Sequence, residues 1–270
     1  MSNDSSNATS PPSGHKQPPP QAAGKRSVPW GPLLPLFVMG VSFFGGRILA
    51  SMLVSLYPFV VLHWTPQQVN DWQNNSTFAQ FAFTVLAYGI VAAAIWAALF
   101  RTRDGWRHLG WIRPRVRDGA WAIIGFAGYF VIYLTLLSVT ARLVHLDVNQ
   151  QQEIGFTHVY GPLSLVLTFV SLVVIPPIVE ETVFRGFLYP GLKRWMTPVF
   201  AALVTSLIFG ALHLGESSSG PLWVGGLDTF TLSLMLCYLR ERTGGLWASA
   251  GVHALKNGMA FVVIFILHVR

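Results

Sequence analysis

Residues 161–194 read GPLSLVLTFVSLVVIPPIVEETVFRGFLYPGLKR, and the reading of this stretch decides the fold. No ionisable side chain appears between Gly161 and Val179, yet Glu180, Glu181 and Arg185 follow at once inside the same run. A membrane-crossing helix needs roughly 20 apolar residues to span about 30 Å of hydrocarbon. The run is therefore long enough to cross, and too long for one straight crossing. Pro176 and Pro177 lie inside it. Their missing amide donors and ring clashes predict a break, with a new helix starting near Pro177.

Further apolar runs lie on either side. Hydropathy places spans near 33–61, 78–100, 119–143, 161–194, 198–214, 222–239 and 246–268. The expected fold class is an all-α integral membrane protein, a bundle of about seven transmembrane helices enclosing a polar intramembrane site. Composition agrees, since 52% of the 270 residues are apolar and 11% charged, against about 25% charged in soluble domains. Three regions are expected. Residues 1–28, rich in Ser, Pro, Asn and Gln, form a disordered cytoplasmic tail; 29–160 hold the N-terminal transmembrane helices; 161–270 form the catalytic transmembrane region. The first apolar core starts at Leu33 and runs long, which fits a retained anchor better than a cleaved signal peptide.

The formal charge of +7 raises nucleic acid as a partner, and the placement of the basic residues excludes it. Lys16, Lys25 and Arg26 precede the first span, and six arginines from Arg101 to Arg117 fill the loop after the second. Lys193 and Arg194 close the fourth, and Arg240 and Arg242 follow the sixth. Loops 62–77, 144–160 and 215–221 contain no Lys or Arg. By the positive-inside rule the N-terminus is cytoplasmic and the C-terminus outside, a multi-pass protein of the cell or inner membrane in a prokaryotic host. Cys237 is the single cysteine, so neither an intrachain disulfide nor a cysteine metal cluster can form.

Ionisable groups in hydrocarbon cost several kcal/mol and mark functional candidates. Here they are Arg47, Glu180, Glu181, Arg185, His213, Asp228, His253 and Lys256. Glu181 and Arg185 are four apart in acid-first order and can neutralise each other, while Glu180 lies about 100° round the helix, free for another neighbour. On its own this segment reads equally as a structural ion-pair cluster. Phe209 and His213 share a face, with Gly210 and Ala211 permitting close helix approach. His253 and Asn257 share another face, and both can donate hydrogen bonds to a developing oxyanion. Counting from the turn at 194–198, Glu180 and His213 reach about the same depth, whereas His253 lies about 12 Å into the last span and needs tilt or a later helix start to join them.

These residues resemble three motifs of the CPBP family, the type II CAAX prenyl proteases and their bacteriocin-processing relatives. The motifs are Glu180-Glu181-x-x-x-Arg185 running into FRGFLY at 184–189, Phe209-x-x-x-His213, and His253-x-x-x-Asn257, within about 161–265. The resemblance implies an intramembrane endopeptidase acting on membrane-associated or prenylated-type protein substrates. Glu180 would be the general base and His213 would hold water. His253 and Asn257 would stabilise the oxyanion, with Glu181, Arg185 and Phe209 in support. The family has also been described as metalloproteases, and Glu180, His213 and His253 would form a zinc set. No His-Glu-x-x-His is present, and the spare base Glu181 would be engaged by Arg185, so a mechanism without cofactor is preferred.

Two rival classes remain at this level. A transporter also places Glu, His and Arg near the midplane, but would favour inverted repeats and paired broken helices. A non-catalytic scaffold would keep the motifs for packing alone. Neither substrate identity nor prenylation is written in the chain. The expected partners are a protein or peptide substrate in the membrane and the lipid bilayer, with no nucleic acid.

Overall fold

The computed structural model describes residues 28–268 except 101, 103, 104, 145, 151, 218 and 219. The expected tail at 1–27, with Lys16, Lys25 and Arg26, lies outside the described residues, as do Arg101 and Arg103. Val28, the last residue assigned to that tail, is buried in the core.

The described residues form helices and no strands. We number them α1 (Leu33–Val60), α2 (Pro66–Asn75), α3 (Thr77–Leu99), α4 (Gly105–Leu109), α5 (Val116–Val144), α6 (Gly161–Leu192), α7 (Pro198–Leu212), α8 (Trp223–Thr243) and α9 (Trp247–Ile266). The apolar runs at 33–61, 78–100, 119–143, 161–194, 198–214, 222–239 and 246–268 each became one helix. By length and composition α1, α3, α5, α6 and α9 suffice to cross a membrane.

The expected count of seven is therefore not met by these criteria, and each exception has a physical reason. Helix α7 has 15 residues, about 22 Å at 1.5 Å per residue, short of the hydrocarbon thickness. Helix α8 is long enough but carries Asp228, Arg240, Glu241 and Arg242, and it buries Thr229, Thr231 and Ser233. It packs among α5, α7 and α9. Large apolar side chains such as Phe37, Ile48, Met52, Ile123, Val131 and Leu207 stand exposed on the outside, as a lipid-facing surface requires.

The predicted break at Pro176 and Pro177 is corrected: α6 is continuous from Gly161 to Leu192. The chain widens into a π-helical stretch at Val170–Val174, so both prolines occupy the opening positions of the α-helical segment Ile175–Glu181. The Leu172 carbonyl would accept from residue 176 in an α-helix or 177 in a π-helix, and both are prolines without an N–H. Asn257 of α9 donates to that carbonyl instead, at 2.9 Å. A second π stretch, Thr182–Leu188, follows the glutamates.

Helices α7 and α8 touch at backbone level. A Cβ on Gly210 would come within 2.8 Å of the Gly226 carbonyl oxygen, so glycine is required for this approach.

Candidate functional site

Continuity of α6 through the prolines places Glu180 and Glu181 on two faces of one helix. Glu181 turns inward and is fully buried; its Oε1 accepts from Arg185 Nη1 at 2.9 Å. The same oxygen lies 3.3 Å from His253 Nδ1. A carboxylate can only accept there, so His253 carries a proton on Nδ1 and turns Nε2 the other way. Nε2 lies 3.7 Å from Glu180 Oε2. The depth mismatch expected for His253 is absent, because α9 brings its imidazole between the two glutamates.

Glu180 faces a cavity of about 660 Å³ bounded by α1, α2, α3, α6, α7, α8, α9 and the segment 152–156. Its Oε1 accepts a hydrogen bond from the Tyr88 hydroxyl at 2.5 Å. Tyr88, at the midpoint of α3, escaped the sequence reading. An aromatic at mid-span, away from the interfacial belts, was the available signal.

Phe209 joins the remaining residues. The Arg185 guanidinium carbon lies 4.8 Å from its ring centroid, in cation–π geometry. Its ring centroid is 4.8 Å from that of His213 and 5.9 Å from that of His253. The Phe-x-x-x-His spacing thus sets one aromatic ring against a buried cation and two imidazoles.

His213 caps the C-terminus of α7 and lines the same cavity. Its Nδ1 donates to the Phe209 carbonyl at 2.7 Å. Its Nε2 points toward Glu216 Oε1 at 3.9 Å. His213 and Glu180 thus line one cavity, each with its own hydrogen-bond partner. Asn257 also lines the cavity, but one of its donors is committed to the Leu172 carbonyl. Among the described residues no three of His, Cys, Asp and Glu gather in an arrangement that would hold a metal ion.

A second polar cluster lies beside the first. Lys256 Nζ is 3.1 Å from Asp228 Oδ2, and the Tyr129 hydroxyl donates to Asp228 Oδ1. These contacts tie α9, α8 and α5 together and account for two residues to which the sequence reading assigned no role.

The class so defined is a multi-pass helical membrane protein with paired glutamates and a histidine at a polar cavity. Residues 162–259 match the family model described as type II CAAX prenyl endopeptidase Rce1-like. The match contains every motif residue named above and ends two residues beyond Asn257. A Bacillus subtilis (strain 168) protein, named as uncharacterized protein YyaK, is 30% identical over 145 residues. That similarity covers 53% of this chain and 46% of that protein, so the chain spans about half the length of the curated relative it matches. No solved structure matches.

Proposed function

We propose that the protein is an intramembrane endopeptidase in which Glu180 activates water against a peptide bond. The observation that carries this reading is the difference between adjacent carboxylates. Glu181 is sealed against Arg185, whereas Glu180 opens on the cavity with one oxygen held by Tyr88. The Glu180 Oε2 to His253 Nε2 distance of 3.7 Å exceeds a hydrogen bond and brings a water molecule within reach of both groups.

In this mechanism Glu180 takes a proton from the attacking water through Oε2 while Tyr88 fixes Oε1. The water oxygen forms a bond to the peptide carbonyl carbon, giving a tetrahedral oxyanion; as that intermediate collapses the C–N bond breaks and the proton passes from Glu180 to the leaving amine nitrogen. Glu181 accepts from Nδ1 and orients the His253 ring, as the buried carboxylate of a catalytic triad orients its histidine. His253 then stabilises the oxyanion from Nε2 when it carries a second proton there. His213 holds water at the far wall. Asn257 has a second amide hydrogen for the oxyanion, although its first holds the π stretch of α6 in place.

The preferred mechanism uses no metal, a reading supported by His213 Nδ1, which is held by the Phe209 carbonyl and leaves Nε2 for water. Substrates are membrane-associated or prenylated-type proteins, by extension from the family description. We also propose the orientation read from the basic loops, with the 101–118 loop cytoplasmic and the C-terminus outside.

The test is quantitative proteomics of membrane-protein termini in cells carrying wild-type protein, Glu180→Gln, or no protein. New termini are expected with wild type alone. Identical termini from Glu180→Gln would defeat the glutamate mechanism, and identical termini without the protein would defeat the peptidase reading.

A further inference from the structure

Two cationic side chains line the cavity, Arg47 and Lys256. Lys256 is neutralised by Asp228 at 3.1 Å. Arg47 has no carboxylate within salt-bridge distance among the described residues; its guanidinium carbon lies 5.5 Å from the Phe83 ring centroid. Arg47 sits at the middle of α1 and is exposed at the cavity rim. An arginine at that depth is costly unless it meets an anion or water, and Phe83 supplies only a weak partner.

We propose that Arg47 is an anion subsite that binds a carboxylate of the peptide held in the cavity, a specificity determinant for the reaction proposed above, on which this inference rests. Three observations favour a peptide carboxylate over a phospholipid headgroup. Headgroups lie at the membrane surface, whereas Arg47 is at mid-span. The cavity is also lined by Asn70 and Asn74, whose side-chain amides pair with peptide groups. Finally, the cavity is continuous from Arg47 to Glu180, so one extended peptide can meet both. The planar guanidinium is suited to bidentate carboxylate recognition.

The experiment uses the full chain in phosphatidylcholine nanodiscs and a library of synthetic decapeptides. Members carry Asp, Asn or Lys at each position and a free or amidated C-terminus. Binding is measured on Glu180→Gln, and on that variant combined with Arg47→Gln or Arg47→Glu; cleavage is measured on the parents that keep Glu180. A carboxylate at one fixed position or at the terminus should favour binding roughly 10- to 100-fold, the value of a charge-assisted hydrogen bond. Arg47→Gln should erase that preference and Arg47→Glu turn it toward Lys, with the melting temperature of Arg47→Gln unchanged or raised. An unchanged preference, no peptide binding, or a lowered melting temperature with Arg47→Gln would overturn the subsite. So would an Arg47-dependent affinity for phosphatidylglycerol nanodiscs without a peptide preference, which would assign the residue to lipid. If peptides bind with the expected preference and wild type cleaves none, the peptidase reading falls and the subsite stands. Cleavage with an Arg47-independent preference does the reverse.

Discussion

Two polar clusters hang from α9, one turn apart, and they are built to opposite rules. At Lys256 the charges close: one carboxylate, Asp228, meets one ammonium and one phenol. At His253 they do not close, because Glu180 and Glu181 share one arginine, and Arg185 is spent on Glu181. The surplus carboxylate is the one that faces the cavity. Burying a charge without a cation is costly, so a site that needed only to hold helices together would resemble the Asp228 cluster. On the proposed function the comparison separates a clasp from a reactive centre, and it can be broken at several points.

The largest expected effect is on Glu180. Glu180→Gln keeps the shape and removes the charge, so purified protein should fold with an unchanged melting temperature and lose about 10² to 10⁴-fold in peptidase rate. Wild type should also survive prolonged chelation and contain no stoichiometric zinc. Metal that leaves on chelation, with activity lost and then restored by zinc, would replace the glutamate mechanism and keep the peptidase.

Arg185 comes next, with its effect on stability. Arg185→Ala leaves Glu181 buried beside His253 without its cation, at about 3 to 5 kcal/mol, and should lower the yield of folded protein in a detergent-stability assay. Glu181→Gln combined with Arg185→Gln should be milder than the sum of the single changes. Simple additivity would mean that the pair is energetically uncoupled and the comparison misdrawn.

How much of this was legible follows from what each residue must satisfy. Apolar runs announce themselves because lipid admits little else, and the Glu181–Arg185 pair because helical spacing brings it together. The continuity of α6 was not legible. It depends on Asn257 reaching Leu172 from another helix, and proline chemistry read locally predicts the opposite. Helix α2 carried a readable signal that went unread. Thr65 and Gln68 form a capping box, and Pro66 takes the first helical position. The second role of Glu181, orienting His253, needed the crossing of α6 and α9. Tyr88 is a neutral phenol in a span without charged residues, and its partner lies 92 residues away. No periodicity points to such a pair.

The smallest and most discriminating effect comes from one chemical change made in both clusters. Tyr88 and Tyr129 each donate a phenolic hydrogen bond to a carboxylate, Glu180 and Asp228 respectively. Replacing either by phenylalanine removes one oxygen and leaves the ring. A hydrogen bond to a charged group is worth about 1.5 to 3 kcal/mol, but the two losses should appear in different measurements. Tyr88→Phe frees Glu180 to rotate and should lower the peptidase rate about tenfold while the melting temperature scarcely moves, since the cavity lets water replace the lost donor. Tyr129 is buried where α5 meets α8, so Tyr129→Phe should lower the melting temperature by several degrees and leave the rate within about twofold. Rate measurements and thermal denaturation on both variants decide the matter. If Tyr129→Phe lost activity while Tyr88→Phe lost only stability, the assignment of the two clusters would have to be exchanged, and the Asp228 group would become the reactive centre.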